Sequence, residues 1–501
     1  MKPKLFYLST SVLALHAIGL TGQTNPNIII ILADDLGYGD LSVYGSNTIS
    51  TPNIDKIANE GVRFTQGYAT SATSTPSRYA MLTGMYPWKN KNAKILPGDA
   101  PLLIRTDEYT LPKMMQESGY VTAAIGKWHL GMGEGNVDWN KTIKPGATEV
   151  GFDYSNLIAA TNDRTPTVYV ENGNVVGLNL NDPLLVSYQE NFPGEPTAVT
   201  HPELLNMHWS HGHNQSIHNG IPRIGYQKGG KSALWKDEEM ADYFTSVAKS
   251  FLTENKDKPF FMYFGLHQPH VPRAPSSRFV GVSGMGPRGD VIVEADWSVG
   301  EIINHLEKLK ILENTLVIFS SDNGPVLDDG YKDHAVELLG EHKPSGPLRG
   351  GKYSLFEAGT RVPLIVYWKN NIKPTVSDAL VCHLDFMASI SALIQYPINK
   401  DVDSQNILSA LLGKSKKGRK DLIIEANGKL AYRSGKWVLL PPYQGKKHNL
   451  SGNELGNLPE GGLYNLKTDL GQQYNLITVK RKRYDKMYKR FTSITERFIN
   501  Q

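Results

Sequence analysis

The chain has 501 residues, 40% of them hydrophobic, so it can bury a large core without a disulfide or metal staple and is not disordered along its length. Lysine plus arginine number 53 against 49 aspartate plus glutamate, a net +4 that is too small and too evenly spread for a nucleic-acid-binding protein. The single cysteine, Cys382, lies in the apolar run Leu380-Val381-Cys382-His383-Leu384, which excludes an intrachain disulfide framework and a cysteine zinc site.

Lys2 and Lys4, the apolar stretch from Leu5 to Leu20 and the small polar run Thr21-Gly22-Gln23-Thr24 predict a signal peptide over residues 1–22. Ser9, Thr10, Ser11 and His16 argue against a membrane span there, and no cysteine is placed for a lipid anchor. The expectation is an exported, soluble monomer without a membrane anchor.

Asn27 to Leu32 is a continuous apolar run, the pattern of a strand covered on both faces, and it leads into Asp34-Asp35. Asn53 to Asn59, stopped by Gly61, predicts a short helix before the strand Val62-Arg63-Phe64. Ser74-Thr75-Pro76-Ser77-Arg78 predicts a helix start, with Pro76 in the first turn and Ser74 at a mouth that favours anions. Thr110 with Pro112 starts another helix, ended by Gly119 and followed by a strand from Tyr120 to Ile125.

From about Asp153 to Tyr243 the pattern gives way to a Gly/Pro/Asn-rich stretch, histidine-rich between His201 and His218, which reads as a substrate-facing insertion. Ile292 to Leu309 places its apolar residues on one helical face, and Leu316 to Phe319 is a second buried strand, leading into Asp322-Asn323-Gly324. Beyond about Gly413 come four short strands, at Leu422–Glu425, Lys429–Arg433, Trp437–Leu440 and Leu463–Leu466, then a helix from Lys480 to Ile499. The alternation predicts an α/β fold: a large, mainly parallel sheet flanked by helices over residues 23–412, with a smaller antiparallel subdomain closed by a helix over 413–501.

Two buried strands that both end in carboxylates point to one shared site, because parallel sheets present ligands at their carboxyl ends. Asp34, Asp35, Asp322 and Asn323 offer oxygen donors only, which suits Ca²⁺, and less readily Mg²⁺, rather than zinc. By itself Ser74 reads as a helix cap as readily as a nucleophile.

The segment from Ser74 through Arg78 to Leu82-Thr83-Gly84 closely resembles the signature of the type I sulfatases, members of the alkaline phosphatase superfamily, in which the first residue, Cys or Ser, becomes Cα-formylglycine. Asp34 to Asp40, Gly126-Lys127-Trp128-His129-Leu130-Gly131, His267-Gln268-Pro269-His270, Asp322-Asn323-Gly324 and Gly350-Gly351-Lys352 through Pro363 resemble further blocks of that family, in its order. The resemblance implies an alkaline phosphatase-like fold and a calcium site of Asp34, Asp35, Ser74, Asp322 and Asn323. It also implies that Arg78 and Lys127 hold the hydrated aldehyde made from Ser74, while Lys352 and His267 contact the sulfate and its leaving oxygen. One hydroxyl of the hydrate attacks sulfur as the sugar oxygen leaves with a proton from Lys352 or His267; His129 takes the proton of the other, which expels sulfate and restores the aldehyde. A serine in place of cysteine implies a bacterial protein, periplasmic or secreted, matured by a radical-type enzyme.

The substrate expected from the resemblance is a sulfated glycan, with galactose or N-acetylgalactosamine sulfate favoured and sulfated glucosamine or a steroid-like ester as alternatives. Asp163 and Arg164, with His211 and His213 of the insertion, are the candidate sugar contacts, and Asp328-Asp329-Gly330-Tyr331 is a candidate rim. Two other functions fit the same chain: a phosphoester or phosphonate hydrolase of the superfamily, and a sulfated-glycan-binding protein with Ser74 unmodified. The basic runs Lys414 to Lys420 and Lys480 to Arg490 read as solvated faces before they read as polyanion sites.

Overall fold

A computed structural model describes residues 25–499, so the expected signal peptide lies outside the described residues. The main sheet has ten strands, in the order Thr375–Ser377, Val62–Phe64, Leu364–Tyr367, Thr315–Ser321, Asn27–Ala33, Phe260–Gly265, Val121–Lys127, Tyr154–Ile158, Val170–Glu171 and Asn174–Val175. The five strands from Thr315–Ser321 to Tyr154–Ile158 are mutually parallel, and antiparallel partners flank them on both sides. This is the predicted α/β architecture.

Its centre follows from the apolar run at 27–33, every residue of which is buried. Ile28, Ile30 and Leu32 join a core with Tyr79, Met81 and Leu111, whereas Ile29, Ile31 and Ala33 join a second core with Ile54, Phe244 and Ile292. With helices on both faces no residue of the strand meets water, so the sequence is uniformly apolar instead of alternating. Each fully buried isoleucine contributes about 1.5–3 kcal/mol.

The helices Pro52–Glu60 and Leu111–Glu117 form where expected, and the Thr110 hydroxyl accepts from the Lys113 amide at 3.2 Å. The helix Gly286–Lys308 starts earlier than its apolar periodicity indicates, because its inward face opens with the buried polar residues Arg288, Asp290 and Glu294. Arg288 donates to both oxygens of Asp40, at 2.8 and 2.7 Å. Among the described residues no helix is long and apolar enough to cross a membrane.

The C-terminal strands Asp421–Ala426, Lys429–Ser434, Trp437–Leu440 and Gly462–Asn465 form an antiparallel sheet in chain order, covered by the helix Arg481–Ile499 through Tyr484, Met487 and Phe491. This sheet shares a core with Tyr68, Ala72 and Phe356. Its edge is bonded to the segment before Ser74: the Ala72 amide donates to the Glu425 carbonyl at 2.9 Å, and the Glu425 amide to the Thr70 carbonyl at 3.0 Å.

Strand register brings the site together. Ala33 pairs with Ser321, Leu32 with Gly265, and Gly265 with Gly126, so Asp34, Asp322, Leu266 and Lys127 emerge at one level. Gly126, at φ +95°, allows this: a Cβ there would lie 2.0 Å from the Gly265 carbonyl oxygen. Gly126→Ala is expected to cost more than the roughly 1–3 kcal/mol of backbone strain alone. Gly119→Ala is the control, since its φ is +88° but nothing lies within 4 Å. Equal losses for the two variants in urea unfolding would contradict the steric account.

Candidate active site

Ser74 is the first residue of a helix, Ser74–Thr83, every residue of which is buried. Thr73, in extended conformation, is the cap, so Ser74 sits one position inside the mouth that the sequence assigned to it. Its hydroxyl donates to Asp34 Oδ1 and to Asn323 Oδ1, both at 3.3 Å, and accepts from Lys127 Nζ at 3.1 Å. Arg78, one turn along, donates through Nε and Nη2 to Asp322 Oδ2 at 3.0 and 2.7 Å and through Nη1 to the Tyr263 hydroxyl. All these side chains are essentially removed from water.

The charges do not balance group by group. Burial, reinforced by Asp322 and Asp35, pushes the Asp34 carboxyl up to about 8 despite Lys127 beside it. Asp322 is buried too, yet Arg78 and Lys127 hold it well below the usual carboxylate range. Burial and the neighbouring Arg78 pull the Lys127 ammonium down.

A second arm adjoins the first. Lys352 Nζ donates to Asp35 Oδ2 at 2.8 Å and Asp329 Oδ2 at 2.7 Å, and these carboxylates outweigh burial and hold its pKa well above the ordinary lysine value. Asp329 also accepts from the Tyr353 hydroxyl at 3.1 Å and from Ser451 Oγ, of the C-terminal part, at 3.1 Å. Asn323 Nδ2 donates to Asp35 Oδ1 at 2.7 Å, which turns its carbonyl oxygen toward Ser74 and Asp34.

His129 is held by its backbone and one ring nitrogen. Thr75 Oγ1 donates to the His129 carbonyl at 2.9 Å, and His129 Nε2 lies 3.0 Å from the Leu96 carbonyl, an acceptor that requires the proton on Nε2. Nδ1 therefore carries the lone pair, is buried and has no partner. Burial, with Lys127 and Arg164 nearby, lowers its pKa well below the ordinary histidine value. Asp35, His129 and Tyr353 have φ of 63°, 58° and 72° without being glycine. Such conformations cost of order 1–3 kcal/mol each and concentrate at functional sites.

The sequence offered His267 as the histidine of the HQPH block. His270 instead lines the cavity that Ser74 opens onto, with Nε2 3.8 Å from Asp35 Oδ2; His267 is not part of the lining. Nothing in the local sequence distinguishes the two. Gln268 between them donates to Glu294 at 3.1 Å, while its own Oε1 is buried without a partner. Burial pushes Glu294 from 4.5 up to about 7, so its contribution to stability is complete below about pH 4.5 and is lost as pH rises through 7. In Glu294→Gln the carboxamide can still accept from the Ser276 amide and donate to a reoriented Gln268. Urea unfolding should then lose the part of its pH slope between about 4.5 and 7 that Glu294 contributes, with a gain of about 3 kcal/mol over the parent at pH 8. An unchanged pH slope would refute this assignment.

The cavity has a volume of about 380 Å³ and is lined by Ser74, His129, Asp163, Arg164, His211, His213, His270, Asp329, Lys352 and Tyr353. The four candidate sugar contacts, Asp163, Arg164, His211 and His213, all line it, whereas of the candidate rim Asp328-Asp329-Gly330-Tyr331 only Asp329 does. His213 Nε2 lies 2.8 Å from Asp163 Oδ2 and Arg164 Nη1 is 3.0 Å from Asp163 Oδ1. Arg164, His270 and His213 offset burial and hold the Asp163 carboxyl well below its ordinary range. Sequence reasoning missed Asn427, Asn449, Leu450 and Ser451, which close the cavity from the C-terminal sheet.

The donor chemistry fits a cation. Asp34, Asp35 and His270 place ligand atoms within 4.8 Å of one another, and Asp322 Oδ1 lies 3.3 Å from the Asp35 amide. Three buried carboxylates, one of them driven toward its neutral form, make a site that a hard dication would relieve.

A family model described as Sulfatase matches residues 26–396. The chain is 50% identical over 456 residues to an N-acetylgalactosamine-6-O-sulfatase of Bacteroides thetaiotaomicron, covering 90% of this chain and 89% of the relative. It is 31% identical over 495 residues to human arylsulfatase A, covering 93% and 86%. A solved structure from B. thetaiotaomicron, described in terms of the metabolism of multiple glycosaminoglycans, matches with a TM-score of 0.93 and 48% identity over 94% of this chain and 99% of that one. A phosphonate monoester hydrolase of Agrobacterium radiobacter, at TM-score 0.58 and 15% identity over 94% and 96%, is a likeness of fold alone. With most of its length matched and its carboxylates, lysines and serine gathered at one cavity, the chain belongs to the sulfatase family and is a sulfuric ester hydrolase.

Proposed function

We propose that the protein removes the 6-O-sulfate of N-acetylgalactosamine in sulfated glycans, with residue 74 as nucleophile. The observation that carries this is Ser74 at the floor of a cavity whose far wall is Asp163, Arg164 and His213, groups suited to sugar hydroxyls. The half-identical relative supplies the sugar and the position. Oxidised to Cα-formylglycine, residue 74 supplies a hydrated aldehyde: one hydroxyl would attack sulfur as the sugar oxygen leaves with a proton from Lys352, and loss of the second hydroxyl's proton would expel sulfate and restore the aldehyde. Asp34, Asp35, Asp322 and Asn323 would hold Ca²⁺, which supplies positive charge against the sulfuryl oxygens.

The protein's own groups do the rest. Lys127 and Arg78 fix the position-74 oxygen and its carboxylate neighbours, as their bonds to Ser74 and Asp322 do now. Lys352, held firmly cationic, and His270 both line the cavity and would contact the sulfate. His129 presents an unprotonated Nδ1, the state a general base requires at neutral pH. An exported location follows from the leader read in residues 1–22.

The test is protein coproduced with a radical maturase and supplied with calcium, offered N-acetylgalactosamine sulfated at the 6- or the 4-position. Sulfate release from the 6-isomer, lost on chelation and restored by calcium, is expected. Release from the 4-isomer alone would overturn the substrate, and no release from protein carrying the aldehyde would overturn the mechanism.

A further inference from the structure

The strand Lys429–Ser434 runs between two concave surfaces. Asn427, just before it, lines the catalytic cavity; Ser434, its last residue, lines a groove of about 890 Å³ between the C-terminal sheet and the final helix. At about 3.3 Å per residue, the two lie roughly 20 Å apart.

The groove is cationic to a degree the composition hides. Tyr432 and Trp437 line it on the sheet side, and on the helix side come six exposed lysines and arginines between Lys480 and Arg490, with no carboxylate among its lining residues. These six exceed the net +4 of the whole chain, so positive charge is concentrated at this groove. Arg481 pairs with Asp485 at 2.9 Å, but Lys482, Lys486 and Arg490 have no ion-pair partner among the described residues. These three repeat every four residues along one helical face over about 12 Å. Like charges so spaced repel by about 0.2–0.5 kcal/mol per pair, whereas a solvated face usually alternates signs. Arg483 stacks 4.8 Å from the Trp437 ring, which fixes its guanidinium at the groove wall. The helix has no acidic residue in its first turn, so its dipole adds to the attraction for anions.

We propose that this groove binds an internal stretch of a sulfated polysaccharide whose terminal sugar occupies the catalytic cavity. The inference rests on the glycan reading above and adds a second contact for the same chain. A polymer held at both places is bound with the second contact intramolecular, which raises affinity without changing the chemistry. A free monosaccharide gains nothing from it.

The experiment uses the full chain carrying Ser74→Ala, so that binding is read without turnover, and chondroitin 6-sulfate polymer as the probe. Lys482→Gln/Lys486→Gln/Arg490→Gln, all at exposed positions, should weaken polymer affinity at least roughly tenfold. It should also flatten the salt dependence and, with Ser74 intact and matured, raise KM for polymer while monosaccharide kinetics stay level. Unchanged polymer affinity overturns the groove, as does equal affinity for double-stranded DNA at the same ionic strength, which would make it an unspecific polyanion surface. Should the triple change disturb folding, Lys486→Glu alone must still weaken polymer binding. Polymer binding that depends on the groove in a protein inactive on 6-sulfated sugar would sink the substrate reading and leave the groove standing.

Discussion

Turnover by Ser74→Ala falls by about four orders of magnitude or more, measured as released sulfate, while the unfolding midpoint stays near the parent's. A group that forms the bond to sulfur has no substitute among its neighbours, because Lys127 and Arg78 are donors and Asp34, Asp322 and Asn323 would be occupied by the cation. The hydroxyl itself contributes little to the fold: its two donated contacts are both 3.3 Å long. Substantial sulfate release by the alanine protein would remove residue 74 from the chemistry.

Lys352→Ala produces two losses that can be separated. Taking the ammonium from between Asp35 and Asp329 leaves two buried carboxylates without their cation, at a cost of about 3–5 kcal/mol in stability. It also removes a fixed positive charge from the cavity, and kcat should drop by roughly 10²–10³. Adding Asp329→Ala to Lys352→Ala removes one orphaned charge, so part of the stability returns, read by urea unfolding, while activity does not. Recovery of both together would mean that Lys352 acts only through the fold.

The parts of this molecule legible in its sequence are those that local chemistry dictates. The runs at 27–33 and 315–321 had to be buried strands because nothing polar interrupts them, and the carboxylates that follow had to lie at their ends. The C-terminal strands stood out because turn residues separate them. The strand Phe260–Gly265, central in the sheet, is an apolar run of the same kind, bounded by Pro259 before it and Gly265 at its end. That His270 and not His267 lines the cavity depends on how the loop leaves that strand, and the bond from Ser451 to Asp329 spans 122 residues. Left-handed backbone at Asp35, His129 and Tyr353 is imposed by surrounding structure, and no residue type announces it.

The enclosure of Ser74 sets an order of events. Ser74 is 3% exposed in the finished fold, and the cavity above it is walled on one side by Asn427, Asn449, Leu450 and Ser451. On the proposed function, an enzyme that oxidises residue 74 has freer access to it before those residues pack. A ribosome working at roughly 5–20 residues per second needs about 20 to 70 s to add the 350 or so residues between Ser74 and Asn427. On that reading modification competes with chain completion, and slowing translation downstream of residue 74 would raise the active fraction without altering a single amino acid.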